Sequence, residues 1–181
     1  NAELVNQIKD SDKWGISFDN VSFDFAKAIS RSRDVSKQLT QGIEYLVKKN
    51  KITLFKDTAS LSGGNSIKLL NSGESINSKN VIIATGARPR NLPNLEIDGK
   101  MIISSREALE LKKLPKTIGI IGAGAIGVEF AYLFNAYGVE VKMFEAQSHL
   151  VPNEDKSISS ELEKIFSSKG ITFELNSTVA G

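Results

Sequence analysis

The stretch Ile118-Gly119-Ile120-Ile121-Gly122-Ala123-Gly124-Ala125-Ile126-Gly127-Val128-Glu129 decides the fold. An apolar strand runs into a G-x-G-x-x-G turn, and a helix starts behind it. Each glycine has a physical task in such a turn. Gly122 allows a tight turn off the strand, Gly124 offers backbone with no side chain in front of it, and Gly127 lets the helix pack closely on the sheet. A pyrophosphate over this turn meets free N–H groups and the positive end of the helix dipole. Gly122, Ala123, Gly124, Ala125, Ile126, Gly127 and Val128 therefore read as a dinucleotide-binding turn.

The flanks support this reading. Thr117 to Ile121 read as a buried parallel strand. Ile126, Phe130, Leu133, Phe134 and Tyr137 recur at helical spacing, and Gly138 supplies a helix stop. Val139, Val141 and Met143 alternate into a second strand that ends at Glu145. Glu145 follows Gly127 by 18 residues, close to the roughly 20 at which an acid meets the adenosine ribose. A carboxylate there accepts hydrogen bonds from ribose hydroxyls and repels a 2′-phosphate. The next residues are Ala146, Gln147 and Ser148, with no arginine, so the expected nucleotide is NAD(H) and not NADP(H).

Composition removes other classes. The 181 residues suffice for one domain or two small ones, and a net charge of +2 makes no electrostatic case for nucleic acid or a membrane surface. Lys48-Lys49 and Lys112-Lys113 are isolated pairs that read as solvated helix ends. There is no cysteine and one histidine, so neither disulfides nor a His/Cys metal site is expected, and His149 reads as an exposed loop residue. No apolar run has transmembrane length, and the N-terminus has no signal-peptide pattern.

Along the chain, Asn1 to Val5 read as the middle of a helix, so the sequence is expected to be a piece of a longer protein. Ser22 and Asp24 are alternative caps for a long helix to about Asn50, with Phe25, Ile29, Leu39, Ile43, Leu46 and Val47 on its apolar side. Ile52–Phe55 and Ile67–Leu70 read as strands joined through the turn Ser62–Asn65. Ile76–Ala84 reads as another strand, and Pro89 and Pro93 mark an extended connection. Ser104-Ser105-Arg106-Glu107 is a capping box opening a short helix to Leu111. After Pro152, Asp155 or Ser157 caps a helix with Ile158, Leu162, Ile165 and Phe166 on one face. Gly170 ends it, before a strand over Ile171–Leu175. The β-α-β-α-β order from Thr117 is half of a doubly wound fold.

Val81-Ile82-Ile83-Ala84-Thr85-Gly86-Ala87-Arg88-Pro89 is a second signature, an apolar strand entering a small-residue turn. Taken with Gly122–Glu129, it makes the chain resemble the pyridine nucleotide–disulfide oxidoreductases, in particular the dihydrolipoamide dehydrogenase type. In that family an A-T-G-[AS]-x-P turn touches FAD, a linker like Ser104–Leu114 follows, and the NAD domain opens with G-x-G-x-x-G-x-E. Leu150-Val151-Pro152 and Asp155 also resemble the family's stretch after the ribose acid.

The resemblance implies a Rossmann-like α/β FAD/NAD(P)-binding fold. Residues 1–113 would be the later portion of an FAD domain, and 114–181 the first portion of an NAD domain. It implies NAD and FAD as cofactors. Gly122–Val128 and Glu145 would hold NAD, and Glu129 would reach the nicotinamide–flavin contact and pair with a lysine. Ala84, Thr85, Gly86 and Ala87 would contact FAD, as would the backbone at Ala59, although Asp57 stands where the family usually has a nearby glycine. It also implies a cytoplasmic homodimer that acts on the lipoyl domain of 2-oxo acid dehydrogenase complexes.

The family's relay runs from a dithiol through a redox disulfide to FAD and then NAD. The C-x-x-x-x-C stretch, the first FAD glycine motif, the lysine partner of Glu129 and the His–Glu acid/base pair have no counterpart here. No catalytic residue or metal ligand is therefore assigned, and these 181 residues alone are expected to be inactive. A mercuric reductase, an NADH oxidase, a glutathione reductase or a non-catalytic dinucleotide-binding module are the alternatives. Glutathione reductases use NADPH, which Glu145 disfavours.

Overall fold

The structure is a computed structural model, and residues 1–179 are described. By contacts the chain forms two compact units, one of residues 1–33 and 89–181 and one of residues 34–88.

The first unit is built on a parallel sheet in the order β4-β5-β6, with β4 Thr117–Ile121, β5 Glu140–Phe144 and β6 Thr172–Glu174. Thr117 pairs with Glu140, and Lys142 with Thr172. The helices α4 (Ala125–Ala136) and α5 (Lys156–Ser168) supply the crossovers that parallel strands require. This is the β-α-β-α-β half-unit expected from the sequence. The third strand is shorter than expected, because Leu175 and Asn176 already bend away.

Both helices end as their glycines dictate. At the end of α4, Val139 N–H donates to Phe134 O (3.1 Å) and Gly138 N–H to Asn135 O (2.9 Å), with Gly138 at φ +86. This pair of bonds is the Schellman closure, which needs a left-handed residue after the cap. Gly170, Ile171, Ser167 and Phe166 repeat it after α5.

One expectation about this sheet is corrected. Thr117–Ile121 was expected to be buried throughout, yet its residues alternate, with Ile118 and Ile120 half-buried and Ile121 exposed. On β5, Val141 and Met143 are buried while Lys142 is exposed. The core gathers on one sheet face, where Val141, Met143, Phe134, Leu150, Phe166 and Ile171 pack together. On the other face Lys142 pairs with Glu174 and lies over the Phe144 ring. A continuous apolar strand is buried on both sides only when both sheet faces are covered.

The helix stripes are also narrower than their spacing implied. In α4, Phe134 is buried but Ile126, in the first turn, is 60% exposed. In α5, Phe166 is buried while Ile158 and Ile165 are exposed. Asp155 is the α5 N-cap, without a side-chain cap bond. Against the outer side of α4 lies α1 (Ala2–Lys9). Asn6 donates to the Tyr132 hydroxyl (3.0 Å), Tyr132 donates to Glu3 (2.5 Å), and Lys9 donates to Ala136 O (2.8 Å). The Lys9 ammonium thus serves a C-terminal carbonyl of α4, where the dipole favours a cation. Phe25 reaches the same helix, edge-on to Tyr137 at 5.0 Å between ring centres.

Phe25 also begins α2 (Phe25–Lys49). Of the two candidate caps, Asp24 is used, since its carboxylate accepts the Lys27 N–H (3.0 Å). The short helix α3 (Ser105–Ala108) opens with the capping box in full, and Ser104 N–H meets Glu107 Oε2 at 2.8 Å. It ends at Ala108 rather than Leu111.

The second unit holds an antiparallel sheet of β1 Ala59–Leu61, β2 Ser66–Leu69 and β3 Ser75–Asn77 in that order. The turn Ser62–Asn65 is where the sequence puts it, but its first strand is β1 and not Ile52–Phe55. The residues beside the turn fall in register, Leu61 with Ile67 and Ala59 with Leu69. Asp57 intervenes before them. Its carboxylate accepts the N–H groups of Asn71 (2.9 Å), Ser72 (3.0 Å) and Thr58 (2.6 Å), and so closes the far end of the sheet. Likewise Val81–Ala84 forms no strand, and Ile82 is 90% exposed. A strand exists only with a ladder partner, and among the described residues this segment has none. Leu39, Ile43 and Leu46 of α2 are exposed too.

Candidate functional site

The glycine turn lies at the carboxyl ends of β4 and β5, the end of an open α/β sheet where ligands bind. Gly122 N–H extends the ladder by one bond to Phe144 O (2.8 Å), and the chain then turns at φ +93. A residue with a side chain rarely adopts that angle. Gly124, at φ −71, is the N-cap of α4, and no side chain caps the helix. The first-turn N–H groups of Ala125, Ile126 and Gly127 therefore have no intrahelical acceptor, and Gly124, Ala125 and Ile126 are exposed.

The two later glycines serve different ends. A Cβ at Gly124 meets nothing within 4 Å, so the space before it is open. A Cβ at Gly127 would stand 2.0 Å from Gly122 O, so the turn and helix are too close for any side chain.

Glu145 follows β5 directly and is 8% exposed. Its Oε2 accepts the Ala123 N–H at 2.7 Å and its Oε1 the Gln147 N–H at 2.9 Å. The structure thus joins the glycine turn and the acid expected from spacing into one constellation. Sequence reasoning missed what lies on the other side of Ala123. Its carbonyl accepts the Val151 N–H at 2.8 Å, and Ala123 is fully buried. Val151 has φ +44, a left-handed conformation that costs a β-branched residue about 1–3 kcal/mol. The following Pro152 narrows its choices further. Leu150, fully buried, anchors the loop, and its N–H donates to Glu163 Oε1 (3.0 Å). No sequence signal marks a left-handed valine.

Glu129 is exposed on α4, one residue past the first turn. Val128 is half-buried, its N–H donating to Gly124 O. His149 is half-buried with Nδ1 3.1 Å from Ser148 Oγ, and no metal-holding group of His, Cys, Asp or Glu occurs among the described residues. Ala59 sits on β1 of the second unit. Ala84, Thr85, Gly86 and Ala87 form an exposed segment of that unit outside any helix or strand, with Gly86 at φ +75.

The chain belongs to the family described as pyridine nucleotide-disulphide oxidoreductase, whose model matches residues 6–181. It is 39% identical over 176 residues to a dihydrolipoyl dehydrogenase of Chlorobaculum parvum, covering 96% of this chain and 38% of that protein. It is 37% identical over 183 residues to that of Bacillus subtilis, covering 95% of this chain and 39% of that protein. The chain thus spans well under half the length of these relatives. Among solved structures, LpdA from Mycobacterium tuberculosis shares the fold, with a TM-score of 0.88 at 23% identity over 99% of this chain and 40% of that one. The HOCl-induced flavoprotein disulfide reductase RclA from Escherichia coli gives a TM-score of 0.75 at 28% identity, covering 98% of this chain and 39% of that one. No helix among the described residues is long and apolar enough to cross a membrane.

Proposed function

We propose that this member of the pyridine nucleotide–disulfide oxidoreductases supplies the NAD-reading part of a dihydrolipoyl dehydrogenase, which oxidises protein-bound dihydrolipoyl groups. The observation that carries the reading is the joint geometry of an uncapped helix start, the open space at Gly124 and the buried acid Glu145 against Ala123. These residues fit a dinucleotide. The N–H groups of Ala125 and Ile126 bind the pyrophosphate, and Gly124 admits it. Glu145 holds the adenosine ribose, since each carboxylate oxygen keeps acceptor capacity beside the N–H it already receives. Its charge disfavours a 2′-phosphate, and this supports NAD over NADP.

We assign FAD to the second unit more coarsely. Ala84, Thr85, Gly86, Ala87 and Ala59 are exposed there, as flavin-contacting residues must be in the absence of the flavin. FAD supplies two-electron transfer between a dithiol and the nicotinamide. Glu129, exposed on α4, is proposed to serve the nicotinamide end of the bound nucleotide. The proposed boundary between the FAD and NAD portions of the sequence stays at 113/114, which does not coincide with either limit of the compact units. The 181 residues contain no cysteine, so within this reading they carry no redox disulfide and do not turn over alone. As part of the same proposal, the partner is the lipoyl domain of a 2-oxo acid dehydrogenase complex, and the full-length protein is a cytoplasmic homodimer.

The test is dihydrolipoamide-dependent NAD reduction by the full-length protein, run beside its Gly124→Val variant. Activity in the first and its loss in the second support the reading. A wild-type protein that reduces neither NAD nor NADP with this dithiol overturns it.

A further inference from the structure

Ala123 is held by both halves of its backbone. Its N–H goes to Glu145 Oε2 at 2.7 Å and its carbonyl takes the Val151 N–H at 2.8 Å. Both partners come from the one loop after β5. That loop is itself fixed, by buried Leu150 at one point and by Gln147 N–H on Glu145 Oε1 at another. Val151 holds its bond in a left-handed conformation that a valine before proline does not adopt unaided. A strained residue persists only where its surroundings over-determine it, so this contact is imposed by the fold around it.

We propose that Glu145 and Val151 are positioning residues that clamp Ala123 from both sides, holding the turn Gly122–Gly124 in its phosphate-receiving shape before any nucleotide arrives. The inference rests on the dinucleotide reading of the turn and adds a second task for Glu145, separate from the ribose. A bare charge and a clamp predict opposite effects of Glu145 on pyrophosphate binding. As a bare charge beside the turn, Glu145 repels an anion, and its removal strengthens anion binding. As a clamp it shapes the donors, and its removal weakens anion binding.

The experiment uses the full-length protein with Glu145→Ala, Glu145→Gln and Val151→Gly. Two quantities are measured: amide hydrogen exchange at Ala123 without nucleotide, and inhibition of NADH binding by inorganic pyrophosphate. In Glu145→Ala the Ala123 amide exchanges at least about tenfold faster, since its acceptor is gone, and pyrophosphate binds several-fold more weakly. Glu145→Gln has one acceptor oxygen for two N–H donors, those of Ala123 and Gln147, and so falls between wild type and Glu145→Ala in both. Val151→Gly keeps the N–H and adopts the left-handed angle without strain, so exchange at Ala123 and NADH binding both stay near wild type. A merely structural residue moves stability and affinity together. Tighter pyrophosphate binding in Glu145→Ala, with unchanged exchange at Ala123, overturns the clamp. If the wild-type protein binds no NADH, the dinucleotide reading fails instead, and the exchange rates at Ala123 still decide whether the clamp exists.

Discussion

The carbonyl oxygen of Gly122 lies 2.0 Å from the point a Cβ on Gly127 would occupy. Five residues apart in sequence, these two glycines set how closely α4 rises from the end of β4. Gly127→Ala forces the helix off the turn and is expected to destabilise the full-length protein by about 3 kcal/mol, the upper range for overpacking. Gly124→Val meets open space at φ −71 and stays within about 1 kcal/mol of wild type. Its NADH affinity nonetheless falls at least about tenfold, ~1.4 kcal/mol. Urea midpoints and NADH fluorescence titrations separate the two. Equal destabilisation by both substitutions would show that Gly124 serves packing.

Cofactor choice follows from Glu145, buried with its carboxylate at the turn. The full-length protein is expected to prefer NADH to NADPH by about tenfold or more, ~1.4 kcal/mol. Glu145→Gln narrows that ratio by removing the charge and keeping the shape. Steady-state kcat/KM with each nucleotide checks both statements, and equal efficiency in the wild type refutes the first.

Asp57 makes the second unit sensitive to acid. The N–H of Asn71, ahead of those of Ser72 and Thr58, holds its carboxyl below the ordinary value of 3.8. A depressed folded-state pKa means that the unfolded chain takes up the proton more readily. The contribution to stability is therefore present above 3.8 and lost as pH falls through the folded value. Melting curves above and below this range should converge for wild type and Asp57→Asn at low pH and separate at higher pH. A constant difference would contradict the assignment.

Ser159, on the first turn of α5, is 1% exposed, and its hydroxyl has no partner among the described residues. An unsatisfied buried hydroxyl is costly, and alanine differs by that group alone. Ser159→Ala is expected to raise stability by up to about 1 kcal/mol. A clear loss in thermal unfolding would show that the hydroxyl has a bound partner.

The 181 residues purified alone are expected to show no dihydrolipoamide-dependent NAD reduction, since without cysteine they hold no dithiol acceptor. A coupled absorbance assay tests this, and turnover would require electrons to bypass a protein disulfide altogether.

Local rules of short range determined much of this protein from sequence alone. The turn Gly122–Gly127, the stops at Gly138 and Gly170, the Ser104–Glu107 capping box and the β-α-β-α-β order all depend on neighbours within a few residues. Backbone angles and helix-end hydrogen bonds are set at that distance. The acid Glu145 was legible too, because strand and helix lengths leave little freedom in its distance from Gly127. Tertiary structure decided the rest. Ile52–Phe55 and Val81–Ala84 have strand-like composition but no ladder, since a strand is defined by a partner that its own residues do not specify. Leu39, Ile43 and Leu46 keep helical spacing without burial, for burial belongs to the opposing surface. The bond from Val151 to Ala123 joins residues 28 apart in the sequence through a left-handed valine. That conformation opposes the residue's own preference, and the tertiary packing of Leu150, with the carboxylates of Glu145 and Glu163 on loop N–H groups, accompanies it.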